Sequence, residues 1–590
     1  MIYARACCGG RLIGYNGSME NSTFRHILIW GVVLGLAAAG LPGFAAELGG
    51  ISVTIHEPSL KVPLPCRAWV SVAGKRLFQP GPESCTPYAR DRSFSCDGSF
   101  VIEVPAGKAT IHVERGKEYR PVDKEVVVKP SQTTNVDITL ERWVNMAKEG
   151  WYSADMHCHF GLGDLRILKQ LALADDINFE PLLTLWNHQT KTPAGSWPSW
   201  PGGSSIQADM THVVTFRNQE IERIGGEAFE STGALLMFGL TKPVEMPPGN
   251  SRYPCDAVLG RAAKETSPDC IIDTDKPIWG ENVVGVALGL FDSVQVCHNH
   301  YHREATAPIG WGMAGAQIEE EQNEGPSTSL GTPARAGPNG PDRVLGGQDE
   351  LFHRTNSTYY RFLNCGFRLA ATGGSAMGVM PVPLGYSRTY AKLDGPLTEA
   401  NYLAAIRTGR TFATSGPILI LTADPSLSGA GDCGSEIRYS TATSKPIRIE
   451  AKLRSIQPID SLELVSNGKV IKSVNLKDRP PSPALEESIV LAFEPRRSGW
   501  VAARAIFTSP DGHLRQAHTS PVYITLDGKP TASKTDAEYM IRWIDRLLQV
   551  TDKPGRYKTD TERSQVQAFY QQARQKYQDI ARKAAEFWGD

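Results

Sequence analysis

Three strand-like runs in the middle of this chain end in histidines, and any fold that puts them to use must bring those ends together. Trp151-Tyr-Ser-Ala leads into Asp155-Met156-His157-Cys158-His159, Leu182-Leu-Thr-Leu-Trp186 into Asn187-His188, and Ser293-Val-Gln-Val-Cys297 into His298-Asn299-His300-Tyr301-His302. Six of the chain's 13 histidines fall at these three ends. In a parallel barrel, strand ends open on a single rim where functional residues gather. Residues two apart on a strand share a face, so His157 and His159 converge while Cys158 turns to the other side. Asp155 shares the histidine face, either as a ligand or as the partner that orients a ligating imidazole. Two histidines alone also read as a partly buried polar pair; the further strand ends favour a metal site. Neutral imidazoles leave an ion's charge uncompensated, so a carboxylate should complete the set. Glu220, after Val213-Val-Thr-Phe216, is the first choice, and Glu222 lies on the same face.

The remaining chain divides around this region. Residues 47–145 hold short alternating runs such as Ile51-Ser-Val-Thr-Ile55 and Ala109-Thr-Ile-His-Val113 between turn-rich segments, the pattern of a β-sandwich. Residues 146–417 mix apolar runs with helical periodicity, as strands alternating with helices do. Within them, about 305–347 is crowded with Gly, Pro, Ser and Thr and reads as a long loop. Alternation returns in 418–530, a second β-sandwich, and helical spacing of Tyr539, Met540, Trp543 and Leu547, then of Val566, Phe569, Ala573 and Tyr577, predicts a helical hairpin over 531–590.

Residues 1–46 have the pattern of a signal peptide: Arg25 and His26, an apolar run from Ile27 to Leu41, then small residues around Ala45 and Ala46. Met19 lies where such a signal normally begins, so the first 18 residues read as an over-called start. The run is shorter than the ~20 apolar residues that span a bilayer, so no integral membrane segment is expected after cleavage, and the product is secreted or periplasmic. Export permits disulfides, and Cys85 with Cys96 and Cys255 with Cys270 are the plausible loop-closing pairs. Lysine plus arginine (62) balance aspartate plus glutamate (63) for a net charge of -1, which argues against nucleic acid as a partner.

Trp151-Tyr-Ser-Ala-Asp-Met-His-Cys-His159 resembles the opening motif of the polymerase-and-histidinol-phosphatase (PHP) metallohydrolases, in particular their carbaryl-hydrolase-like CehA/McbA branch. Asn187-His188 and Asn299-His300 match later motifs of that family, and Thr414-Ser415-Gly416-Pro417 looks like the close of its catalytic domain. Asp97-Gly98-Ser99-Phe100 with Pro105-Ala106-Gly107 is similar to the sandwich often found ahead of it. The resemblance implies an α/β fold with a distorted (β/α)7 barrel of PHP type between the two sandwiches, up to three metals, and hydrolysis of a phosphoester, ester or amide. Two departures bear on the metal count. Gly374-Ser375-Ala376-Met377-Gly378 stands where the family carries Gly-Ser-Asp and a following histidine, and Gly233-Ala234-Leu235 where it carries Gly-His.

The function expected from these readings is that of an exported hydrolase using one or two divalent ions, Zn²⁺, Mn²⁺ or Fe²⁺, held by His157, His159, His188, Glu220 and His300. Asp155 or a spare histidine, His298, would move the proton. Arg388 is a candidate anchor for an anionic group of a small-molecule or polymer-derived substrate, with a structural salt bridge as its other reading. The rival is a non-catalytic secreted binding protein that retains a degenerate metal site, which Ala376 favours. Carbohydrate binding by the sandwiches ranks last, because the 12 tryptophans and 18 tyrosines are spread through every region.

Overall fold

The computed structural model describes residues 47–590 except 59, 75, 89–90, 161–163, 189–203, 224–232, 246–252, 302–347, 381, 425–430, 443–444 and 554. The segment expected to be a signal peptide, the expected long loop and His302 therefore lie outside the described residues. The chain is mixed α/β, dominated by sheets, with seven α-helices among the described residues. None of those helices is long and apolar enough to cross a membrane.

Period-two alternation organises the N-terminal region. Ile51, Val53 and Ile55 of strand Leu48–Glu57 point inward, as do Ala68 and Val70 of Cys66–Val72 and Ile111 and Val113 of Gly107–Glu114. The first belongs to a four-stranded sheet and the other two to a six-stranded one, and the two sheets enclose a common core. Cysteine placement departs from expectation. All nine described cysteines are free, and Cys255 and Cys270 sit at opposite ends of helix Asp256–Thr266, whose eleven residues hold them apart by roughly 16 Å of helix.

In the centre, apolar runs buried on both faces make the strands. From one edge the order is Ala370–Gly373, Ser293–Cys297, Ile271–Asp273, Gly233–Phe238, His212–Arg223, Phe179–His188, Trp151–Ala154, Arg388–Lys392 and Thr411–Thr414. Gly233–Phe238 runs antiparallel to both neighbours, whereas Trp151–Ala154, Phe179–His188 and His212–Arg223 are mutually parallel, as are Ile271–Asp273, Ser293–Cys297 and Ala370–Gly373. Just past the first central strand, the Met156 amide donates to Gly373 O at 3.2 Å, and Cys158 bridges Met377. The chain beyond Ala370–Gly373 thus returns to the histidine motif.

Thr411–Thr414 pairs with Leu514–Thr519, so the same sheet runs on into the C-terminal region. There, Ile418–Ala423, Ile447–Ser455 and Leu485–Phe493 form a three-stranded sheet over a core of Leu421, Leu453, Leu464, Val501 and Ile524. Helices Lys534–Thr551 and Asp560–Trp588 follow, N-capped by the Ser533 and Thr559 hydroxyls, which accept from the Asp536 and Glu562 amides. Their apolar faces pack on the central region. Trp543 Nε1 donates to Gly280 O at 2.9 Å, and the Tyr570 and Tyr577 hydroxyls bond Glu281 Oε1 and Val283 O at 2.7 and 3.0 Å.

An acidic pair at the end of helix Leu165–Ala174 ties the first sandwich to the centre. Asp175 takes a bidentate bond from buried Arg67 (2.9 and 2.5 Å), while Asp176 receives Arg115 at 3.0 Å, Arg142 at 3.2 Å and His212 at 3.3 Å. Burial alone would raise the Asp176 carboxyl, but these cations hold it far below the usual carboxylate range. Removing it leaves buried Arg115 on the carbonyl oxygens of Pro65 and Leu173 and Arg142 on Glu118, so that a buried guanidinium is deprived of its carboxylate. Asp176→Ala is expected to cost about 3–5 kcal/mol by urea denaturation. Arg479→Ala, which breaks a pair whose arginine is exposed, should cost under about 1 kcal/mol. Equal costs would show that Asp176 does not hold the two regions together.

Candidate metal centre

His157 and His159 follow the strand Trp151–Ala154, and Glu220 lies within His212–Arg223, two strands away across Phe179–His188. Parallel register places Glu220 opposite Trp186. The three side chains meet. His157 Nε2 and His159 Nε2 lie 3.1 Å apart, and Glu220 Oε2 is 2.9 Å from His159 Nε2 and 3.7 Å from His157 Nε2. Ligands about 2.0–2.2 Å from one ion stand about 3.0–3.5 Å apart in octahedral or tetrahedral geometry; two of these separations lie close to that range, and the third, 3.7 Å, is slightly wider. Glu220 and His157 are buried, and Glu220 Oε2 has no hydrogen-bond donor with good geometry. A buried carboxylate oxygen left so, facing two imidazole nitrogens, suits a cation. Two imidazoles and one carboxylate form the set common to water-activating zinc sites and to iron(II) sites with open positions.

Surrounding groups fix each member. His157 Nδ1 lies 3.2 Å from Asp275 Oδ1, the carboxylate–histidine pairing that orients metal-ligating imidazoles. Asp275 in turn takes the Lys276 ammonium and, at 3.1 Å, Trp279 Nε1. Trp186 packs against the half-buried His159 ring at 4.9 Å and donates from Nε1 to Glu222 Oε2 at 3.0 Å. Gly374 is where the returning chain touches the motif: a Cβ there would lie 2.5 Å from His157 Cβ, so only glycine allows the approach.

Asp155, expected as ligand, as partner of a ligating imidazole or as proton carrier, is engaged on both oxygens. It accepts from the amides of His157 (3.0 Å), Ser375 (2.9 Å) and Gly385 (2.8 Å), and from the Ser375 hydroxyl. Its carboxyl is raised by burial, against which these bonds work. Arg388 is buried, with its donors on the carbonyl oxygens of Gly385 (2.7 Å), Asp176 (3.3 Å) and Asp175 (3.2 Å). His298 stacks on Tyr301 at 4.2 Å and sits 3.2 Å from Thr355 Oγ1; burial, then Lys276 and His300, push its pKa well below the usual value and keep it neutral. His300 is buried beside His298, with ring centroids 5.9 Å apart, and is not one of the three groups that converge. The backbone of Phe179–His188 ends at His188 opposite Glu222, but the His188 side chain lies outside the described residues.

Asp275, Lys276 and Trp279 escaped the sequence reading. The signal was there, because Cys270-Ile-Ile-Asp-Thr-Asp-Lys276 is another apolar run that ends in polar groups, acids rather than histidines.

Electrostatics couple the site to protons. Burial alone would lower the His157 imidazole, but Glu220 and Asp275 outweigh it and raise it to about 10. Burial likewise opposes ionisation of Glu220, yet His159 and His157 hold it down at about 2. Without metal, His157 thus adds stability that is complete below its ordinary value of 6.5 and lost as pH rises through about 10. Glu220 contributes above its ordinary 4.5, and that contribution is lost as pH falls through about 2. A cation needs the His157 lone pair, so binding at pH 7.5 should release about one proton per ion. Calorimetry in buffers of differing ionisation enthalpy measures this, and a buffer-independent heat would contradict it. Asp275→Asn should weaken the metal by about 10–100-fold.

Comparison of the chain with models of known families, with curated proteins and with solved structures finds no match.

Proposed function

We propose that the chain is an exported hydrolase dependent on a divalent cation, and that His157, His159 and Glu220 are its protein ligands. The observation that carries this reading is the convergence of two imidazole nitrogens and a carboxylate oxygen lacking a well-aligned donor, with mutual separations of 2.9 to 3.7 Å. A cation held there supplies Lewis acidity, acidifying water and polarising a phosphoester, carboxylester or amide oxygen. One carboxylate and two neutral imidazoles leave net positive charge for that purpose.

Glu222 is the group we assign to proton movement. Burial, then the neighbouring Glu220, raise its carboxyl to about 8, so it keeps a proton at neutral pH, while its side chain remains half-buried rather than sealed. A cation on Glu220 would draw this value down towards neutrality, where a proton carrier works best. Trp186 positions the carboxyl from Nε1 and is itself 39% exposed, forming an aromatic wall at the open side. Asp155 then serves the reaction by positioning the His157 main chain.

We read the seven strands from Trp151–Ala154 to Ala370–Gly373 as a distorted barrel. The Met156–Gly373 bond and the Cys158–Met377 bridge support closure. The PHP resemblance is the basis for expecting hydrolysis rather than another metal reaction. One feature favours the rival, a metal-holding binding protein: Ala234, opposite Glu222, and Ala376 occupy positions where further ligands were expected.

The test is metal analysis of the purified chain, with assays on phosphoester, carboxylester and amide substrates beside His157→Ala/His159→Ala. We expect about one ion per chain, turnover in at least one substrate class, and loss of both in the variant. Stoichiometric metal without turnover would leave the binding-protein reading standing, and absence of metal would end the enzyme reading.

A further inference from the structure

The first sandwich places three cysteines in one row. Cys85, Cys96 and Cys66 belong to three adjacent antiparallel strands, and the register sets Cys96 directly opposite both of the others. Directly opposed residues share a face, and all three thiols are buried in the core between the sheets. Spacing along the chain cannot choose Cys96's partner, but the sulfurs do. Cys96 Sγ lies 3.6 Å from Cys66 Sγ, whereas Cys85 receives the Ser84 hydroxyl at 3.7 Å. Opposed Cα atoms on antiparallel strands stand about 4.5–5.5 Å apart, inside the window a disulfide spans. Closing from 3.6 Å to a bond of about 2.0 Å needs side-chain rotation and little backbone movement.

We propose that Cys66 and Cys96 are joined by a disulfide in the protein matured under oxidising conditions, and that Cys85 stays a thiol. The oxidant is a disulfide, low-molecular-weight or carried by a protein. The thiolate of one cysteine attacks a sulfur of the oxidant and expels one thiolate, giving a mixed disulfide. The second cysteine then attacks the protein sulfur and expels the other. One oxidant disulfide is reduced to two thiols that take up the two cysteine protons, and one protein disulfide is formed. Burial of both sulfurs places the exchange before the strands finish packing and shields the product from reductant. The bond would clamp Phe94–Cys96, with the edge strand Cys85–Pro87 beyond it, to the sheet. Arg67, adjacent to Cys66, reaches from that sheet to Asp175.

The test uses the full chain, reduced and then refolded with oxidised glutathione, or exported by its host. Free thiols are alkylated under denaturing conditions, and the protein is digested without reductant for mass spectrometry. We expect a linked peptide pair containing Cys66 and Cys96, lighter than the two reduced peptides by two hydrogens, with Cys85 alkylated. Reductant should lower the melting temperature of the wild type and of Cys85→Ser by several degrees, and leave that of Cys66→Ser unmoved. A Cys85–Cys96 link, or alkylation of both Cys66 and Cys96 after oxidation, would overturn the proposal. The wild-type peptide map stands even if a variant fails to fold.

Discussion

Four hydrogen bonds to the Asp155 carboxylate hold the central region together. Three come from main-chain amides in separate stretches of the chain, those of His157, Ser375 and Gly385, and the fourth from the Ser375 hydroxyl. One side chain thereby joins the end of the first central strand to the segment after Ala370–Gly373 and to the turn before Arg388–Lys392. Burial of a carboxylate is unfavourable, and several aligned donors are what make it tolerable. The histidine that follows two residues later inherits this position. With its amide on Asp155, its Cβ against Gly374 and its Nδ1 beside Asp275, His157 has little freedom to point its Nε2 anywhere but at His159 and Glu220.

The charges around that point are layered. Glu220 and Asp275 flank His157 on its two nitrogens, and Lys276 lies on the far oxygen of Asp275. Burial alone would raise the Asp275 carboxyl, but Lys276 and His157 hold it far below the usual range, so it faces the imidazole as a fixed negative charge. Trp279 contributes its indole N–H to the same oxygen as Lys276. The C-terminal helices then press on the following segment through Gly280, Glu281 and Val283, so residues nearly three hundred positions away bear on the backing of His157. Rigid backing of this kind preserves ligand geometry when the ligands would otherwise repel or rearrange.

How much of this was legible in the sequence follows from the range of the interactions involved. His157 and His159 were readable because strand geometry, a local property, puts them on one face. Glu220 could be named because a buried imidazole pair needs a carboxylate and few acids follow an apolar run. Its separation from Glu222 was not readable. That depends on the structure setting Glu220 beside both imidazoles and Glu222 beside Trp186. Asp155 reads from sequence as a ligand, a partner of a ligating imidazole or a proton carrier, and its main-chain role was not readable because the donors it collects come from residues up to 230 positions away. Cys96 shows the same limit: proximity along the chain suggested Cys85, whereas the sulfur that faces it belongs to Cys66, thirty residues off.

The segment 373–378 lies against both histidines of the motif. Where the resemblance leads one to expect an acidic ligand, this chain has Ala376, buried and with φ at +52°, a left-handed conformation that alanine adopts only when its surroundings compel it. The surroundings do so on both sides. Ser375 is bound twice to Asp155, and the Met377 carbonyl accepts the His159 amide at 2.9 Å, while Gly378 passes so close to the His159 carbonyl that no Cβ would fit. The segment therefore braces both histidines through their main chain. Contacts at 374, 375, 377 and 378 thus hold the backbone beside His157 and His159, and with both flanks fixed the left-handed turn at 376 is imposed on whatever residue stands there.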